Sequence, residues 1–214
     1  MLKNIFGRRK EKKSREEAPA SNDLLDQLVT QSQREGLGKL YPILKPPSWI
    51  ARPHAVYIPW IGDEDNAQVL IAFGFDAGEN LTFLTKQKAL GMKKSEIYDL
   101  AIKNIGDLPS TITLSDVQGH LIATASGQDF SAEKILDPNF LLELCAKLDS
   151  NEIIVSVPRR RCLMACSRNS PDEHLHRFQA LHNDAWLDDS YGNAPIANGI
   201  FEVTKGAVSS FIPL

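Results

Sequence analysis

Residues 68–85, QVLIAFGFDAGENLTFLT, decide the fold. A nearly continuous apolar run, 68–76, is followed by an alternating one, 80–85, across a short break (AGE) rich in turn residues. A buried strand followed at once by a half-buried one reads as an antiparallel pair. Gly74 inside the first run predicts a bulge or a close approach of another backbone. Upstream, residues 54–61 (HAVYIPWI) extend the pattern to a three-stranded meander. Pro59 places that first strand at an edge, because proline has no N–H to give a second neighbour.

The same grammar recurs toward the C-terminus. Residues 110–116 and 120–126 flank VQG, 152–157 and 161–167 flank Pro158–Arg160, and 199–204 and 207–212 flank Lys205-Gly206, giving three more hairpins. Helical spacing appears between them. Over 95–105, Ser95 serves as N-cap, Ile97, Leu100, Ala101 and Ile105 form the buried face, and Gly106 ends the helix. A short helix over 131–136 is capped by Ser131. Asp137 caps the next helix, with Pro138 at its first position, where the missing N–H costs nothing. That helix turns Phe140, Leu141, Leu144, Cys145 and Leu148 inward. Over 172–186, Leu175, Phe178 and Leu181 mark the buried face, with His182 beside them.

The N-terminal part reads differently. Residues 22–35 carry one apolar stripe (Leu24, Leu25, Leu28, Val29) and form a helix that Gly36 can end. The next stretch, LYPILKPPSWIARP, holds Pro42, Pro46, Pro47 and Pro53. It reads as an extended connector laying Tyr41, Ile43, Trp49 and Ile50 against the body. The chain therefore divides into a flexible basic tail (1–20), a helix and Pro-rich connector (21–53) and an α+β domain (54–214). The expected architecture is a single α+β domain with a mainly antiparallel sheet and helices packed on one face.

The 214 residues, 43% hydrophobic and 24% charged, can bury a real core and contain no apolar run long enough to span a bilayer. Residues 1–17 hold seven Lys/Arg against three Glu, a surplus of +4, so the remainder carries -7 of the net -3. An acidic body excludes general nucleic-acid binding, which needs concentrated positive charge. In the tail, Ile5 and Phe6 precede Arg8, Arg9 and Lys10, a pattern that offers weak peripheral contact with a membrane surface. Cys145, Cys162 and Cys166 show no C-x-x-C spacing. In a strand, Cys162 and Cys166 would lie about 13 Å apart at ~3.3 Å per residue, too far for a disulfide, so they read as packed free thiols in a reducing cytoplasm.

Reactive signatures are missing: there is no G-x-S-x-G elbow, phosphate loop, dinucleotide fingerprint or HExxH helix. No cofactor is indicated. The one histidine cluster, His174, His176 and His182 with Asp172, Glu173 and Asp184 nearby, supports an alternative metal site at His174 and His182. In a regular helix His174 and His176 diverge by roughly 200° and His174 and His182 stand ~12 Å apart. Arg159, Arg160 and Arg161 form the densest positive spot of the body, placed at a turn where they can hold an acidic partner surface. Trp186, set among carboxylates in DAWLDD, is a candidate partner contact or helix-end anchor.

The strand at 68–76, the segment FLTKQKALGMKKSEIYDLAIKNIGDLP, then ILDPNFLLEL and IIVSVPRRRCLMACS together resemble the YtpQ-like family of uncharacterised bacterial proteins over about residues 67–167. The anchors are Asn104, Leu108, Pro109, Ile135, Leu136, Val157, Pro158 and Leu163. The resemblance implies a bacterial, cytoplasmic mixed α/β domain. It gives Asn104 and Pro109 a place at the helix exit, with Asn104 bonding the turn, and it carries no activity. The sequence thus leans against catalysis and toward a protein-binding module. The alternatives are a hydrolase or metal-dependent enzyme using the His174–His182 segment and, by analogy with small acidic α+β domains, an immunity or inhibitor-type protein.

Overall fold

The computed structural model describes residues 21–34, 39–76, 81–126, 129–190 and 194–214. The basic tail, with Ile5, Phe6, Arg8, Arg9 and Lys10, and the helix end expected at Gly36 lie outside them. The elements run α1 (Ser21–Arg34), β1 (Leu40–Lys45), β2 (Tyr57–Ile61), β3 (Val69–Asp76), β4 (Leu81–Phe83), α2 (Lys94–Gly106), β5 (Thr113–Val117) and β6 (His120–Ser126). A 3-10 turn (Ala132–Leu136) follows, then α3 (Pro138–Lys147), β7 (Glu152–Ser156), β8 (Cys162–Ser167), α4 (Asp172–Leu187), β9 (Gly199–Thr204) and β10 (Ala207–Pro213).

The α+β class holds, and among the described residues every strand pair is antiparallel, in two sheets rather than one. In the small one β3 is central. β1 lies along one side, and β2 and β4 follow one another along the other. Pro59 sits on the edge strand β2, as its missing N–H requires. Gly74 is a close approach: a Cβ there would lie 2.7 Å from the Ile43 Cδ1 atom and 3.2 Å from the Thr82 carbonyl oxygen. The large sheet has the order β10-β9-β7-β8-β6-β5. The two sheets share one core, and the Trp60 ring of β2 stacks on Phe201 of β9 at 5.0 Å between centroids.

The connector reading of residues 40–53 is corrected over its first half. Leu40–Lys45 is a strand, buried along nearly its whole length and paired with β3 from Leu40↔Phe75 to Lys45↔Leu70. Pro42 is tolerated because β1 is an edge and 42 points away from β3, in step with Leu40 and Leu44. Side chains finish that edge: Asn104 Nδ2 donates to the Leu40 carbonyl (2.9 Å), and Glu133 Oε1 accepts from the Leu44 N–H (3.1 Å). Asn104 therefore bonds a distant strand rather than its own helix exit.

The helices are not confined to one face. Leu25 and Leu28 of α1, Ile97 and Ala101 of α2 and the buried residues of α3 join the shared core, and Ile105 of α2 packs separately with Tyr41, Ile43 and Phe130; α4 covers the opposite face of the large sheet, with Phe178 against Ile122, Ile154, Met164, Cys166 and Ile200. Alternation explains this: in β7, Ile153 and Val155 enter the shared core and Ile154 turns to α4. The α3 start matches its sequence signals, since Asp137 Oδ1 accepts from Asn139 N at 3.0 Å with Pro138 at the first position. The cap expected at Ser95 does not form. Lys93 takes that place without a side-chain capping bond, its Nζ pairing with Glu96 at 3.0 Å instead, as α2 begins one residue before Ser95. Ser131 likewise makes no side-chain cap bond.

Candidate protein-interaction surface

The three arginines at 159–161 do not act as one patch. Arg159 turns to α4, where its Nε and Nη2 both donate to the Trp186 carbonyl oxygen (2.9 and 2.7 Å). A cation there meets the negative end of the helix dipole. Trp186 is half-buried and stacks parallel to His182 at 6.5 Å, so it anchors the helix end. Arg161, at φ +65°, and Arg160 converge instead on Asp129, with Arg161 Nε donating at 2.8 Å and Arg160 Nη2 forming an ion pair at 3.6 Å.

The histidines occupy the inward side of α4. His174, Phe178 and His182 form its buried face, while Leu181 is exposed, so the expected leucine face is rotated. A buried polar contact fixes that rotation: Ser156 Oγ and His182 Nδ1 lie 2.8 Å apart. His182 Nε2 closes no hydrogen bond, although the Asn198 side chain lies near enough to oppose the effect of burial, which pushes the imidazole below its usual pKa. His174 Nε2 is also unbonded, and its ring meets His120 of β6 at 5.1 Å. Burial, then His120, then Arg177 push its pKa down. His174 and His182 stand two turns apart and do not converge. Among the described residues no three His, Cys, Asp or Glu side chains are placed to hold a metal ion. All three cysteines are free, Cys145 and Cys166 buried and Cys162 half-buried.

A different constellation lies on the outer face of the small sheet. Register puts Lys45, Tyr57 and Phe83 on the same face as Leu70, Ala72 and Gly74 of β3, opposite the shared core. The turns at 46–55 supply Trp49 and Arg52 to this face. Trp49 packs on Phe83 at 4.6 Å between ring centres. Lys45 Nζ stands over both rings, 5.7 Å from Trp49 and 5.3 Å from Phe83. Around Tyr57 gather Arg52 (5.1 Å), Lys86 (5.5 Å) and Lys94 (5.6 Å). Glu64 braces them, taking the Tyr57 hydroxyl at 2.9 Å and lying 4.0 Å from Arg52 and 3.9 Å from Lys94. Lys86 Nζ donates to the Pro53 carbonyl at 3.0 Å and holds the turn to the end of β4. Ile50, in the same turns, is 92% exposed.

This belt reaches the arginine turn through one buried group. Glu133 is almost fully buried; its Oε2 makes no hydrogen bond. Burial pushes its carboxyl up, while the Leu44 N–H, Arg160 and Lys45 pull it down. Burial also pushes the Lys45 ammonium down; Glu133 opposes this and Arg160 adds to it. Arg160 is thus the one of the three arginines within electrostatic reach of Lys45 and Glu133. Residues 52 and 57 each alone read as ordinary surface residues, and the sequence signal for 86 and 94 is the lysine density of TKQKALGMKK, with its Lys93-Lys94 pair.

No family model, curated protein or solved structure matches the chain. Among the described residues no helix is long and apolar enough to cross a membrane.

Proposed function

We propose that this is a non-catalytic protein-binding module whose recognition surface is the outer face of the small sheet, and that its partner is an acidic segment with an apolar anchor. The observation that carries the reading is the gathering of Arg52, Lys86 and Lys94 around a single ring, Tyr57, on a chain whose net charge is -3. Cations held over aromatic faces keep their charge while losing side-chain freedom, so less entropy remains to be lost when a carboxylate docks. Ile50 supplies an apolar contact beside them. The bacterial, cytoplasmic setting and the YtpQ-like resemblance belong to the same proposal and add no activity to it.

A labelled peptide of alternating Glu and Leu, followed by fluorescence anisotropy, tests the reading. Binding should appear at low salt, weaken as salt rises, and be lost in the Arg52→Glu, Lys94→Glu double variant. Ile50→Asp should weaken it at every salt concentration. Absent binding, equal binding by the variants, or capture of a single-stranded oligonucleotide in place of the peptide would each overturn it.

A further inference from the structure

We infer that the protein self-associates through the outer edge of β5, two copies pairing antiparallel so that the large sheet runs on across the dimer. The inference is independent of the acidic-partner surface, which lies on the other sheet.

The argument is a contrast between edges. An edge strand offers unpaired N–H and C=O groups to any passing chain, and stable monomers blunt it with proline, bulges, charge or a cover. Most edges of this molecule are blunted in those ways. β1 has Pro42, Asn104 and Glu133 along its outer side. β2 carries Pro59 and a register shift between Pro59 and Ile61. β4 is three residues long. β10 has a register shift between Val208 and Ser210 and ends at Pro213.

β5 has none of these devices. Among the described residues it pairs only with β6, and its first four residues are exposed. Over Thr113–Val117 there is no proline, glycine, lysine or register shift. Its single charge, Asp116, is turned into its own hairpin, where Oδ1 accepts from Gly119 N at 2.7 Å. Gln118 and Gly119, at φ 58° and 84°, form a tight two-residue connection that fixes the register. The strand is therefore without a bulge and carries one charge, which its own hairpin engages. Among the described residues nothing covers it.

A second copy fits this edge better than a charged segment does. Antiparallel pairing about Leu114 sets Asp116 opposite Ile112, so the two carboxylates never face each other. It also brings the two Leu114 side chains together. Leu114 and Leu121 lie on the face that carries buried Ala123, at 41% and 39% exposure, so an apolar strip runs past the rim of the core to this edge. Strands this short bury less than the ~1,200 Å² of a standard interface, which makes the dimer a weak one.

Sedimentation equilibrium of the full chain from the low micromolar to the millimolar range tests the inference, together with hydrogen exchange at both ends of that range. The expected result is a monomer–dimer equilibrium in which amides of 113–117 gain protection as concentration rises. Leu114→Lys should weaken dimerisation by about tenfold or more while leaving the thermal transition in place; Leu187→Lys, at another exposed leucine, should leave dimerisation unchanged. Should Leu114→Lys fail to fold, Thr113→Lys provides the same edge charge. A monomer throughout, a dimer indifferent to the lysine placed on β5, or protection of 113–117 that does not depend on concentration would overturn it.

Discussion

Asn104 and Glu133, from α2 and the 3-10 turn, finish the same strand edge. One takes the Leu40 carbonyl and the other the Leu44 N–H, and Pro42 between them has no N–H to satisfy. The chain thereby buries a strand edge without a neighbouring strand. Lys134 ties the adjoining elements together, donating from Nζ to the Ile105 carbonyl at 2.8 Å and pairing with Asp137 at 3.1 Å.

Removing Asn104 should therefore act on β1, sixty-four positions away, rather than on its own helix. Asn104→Ala leaves the Leu40 carbonyl buried without a donor, a loss of about 1–3 kcal/mol. Urea denaturation should show this as a lower midpoint with an unchanged slope, and hydrogen exchange should show faster opening of 40–45 than of α2.

Glu133 allows a test of the opposite sign. Its carboxyl is raised above the ordinary 4.5 by burial, so ionising it opposes folding. A raised group contributes stability that is whole below the unfolded pKa and is lost as pH rises through the folded one. Glu133→Gln keeps an oxygen for the Leu44 N–H and removes that loss. Its stability should match the parent in acid below about 4.5 and exceed it progressively as pH rises. Glu133→Ala, which strands the N–H, should cost about 1–3 kcal/mol in acid, a deficit that narrows as pH rises because the variant has no carboxyl to ionise.

What could be read in the sequence was local. The Asp137-Pro138 helix start, the 117–119 connection and the turn at Lys205-Gly206 carry their signals within a few residues. β1 could not be read that way: its prolines argue against a strand, and what permits one is supplied from positions 73, 104 and 133. The 159–161 arginines stand out because charge is visible in sequence, whereas the Trp186 carbonyl and Asp129 that engage them are not. The cations around Tyr57 come from three separate segments, and no spacing rule joins them. On α4 hydropathy favoured the leucines, whereas the Ser156–His182 contact sets the rotation.

The thiols give a third test. Burial pushes Cys166 up to about 12 and raises Cys162 as well. Since the thiolate is the reacting species, the native protein at pH 8 should react slowly with a disulfide reagent, half-buried Cys162 ahead of Cys166. All three thiols should titrate promptly once denaturant is added.

The two histidines of α4 predict the acid limit of the fold. Both are held below the ordinary 6.5, chiefly by burial. For groups lowered in this way, neutral imidazole is the folded form, and protonation favours the unfolded chain. The stability they contribute is present above about 6.5 and is lost as pH falls through their folded values. Around His174 the effect is compounded by His120 and Arg177, whereas His182 faces the neutral Ser156 and Asn198. Acidification should therefore loosen α4 from the large sheet before the shared core opens. Hydrogen exchange at pH 5 should show 172–187 losing protection ahead of α3. Asn can place its oxygen where Nδ1 sits, so His182→Asn should keep the Ser156 contact while flattening the fall in urea midpoint between pH 7.5 and 5. His174→Asn should flatten it as well, and an unaltered acid slope in both variants would remove these imidazoles as its source.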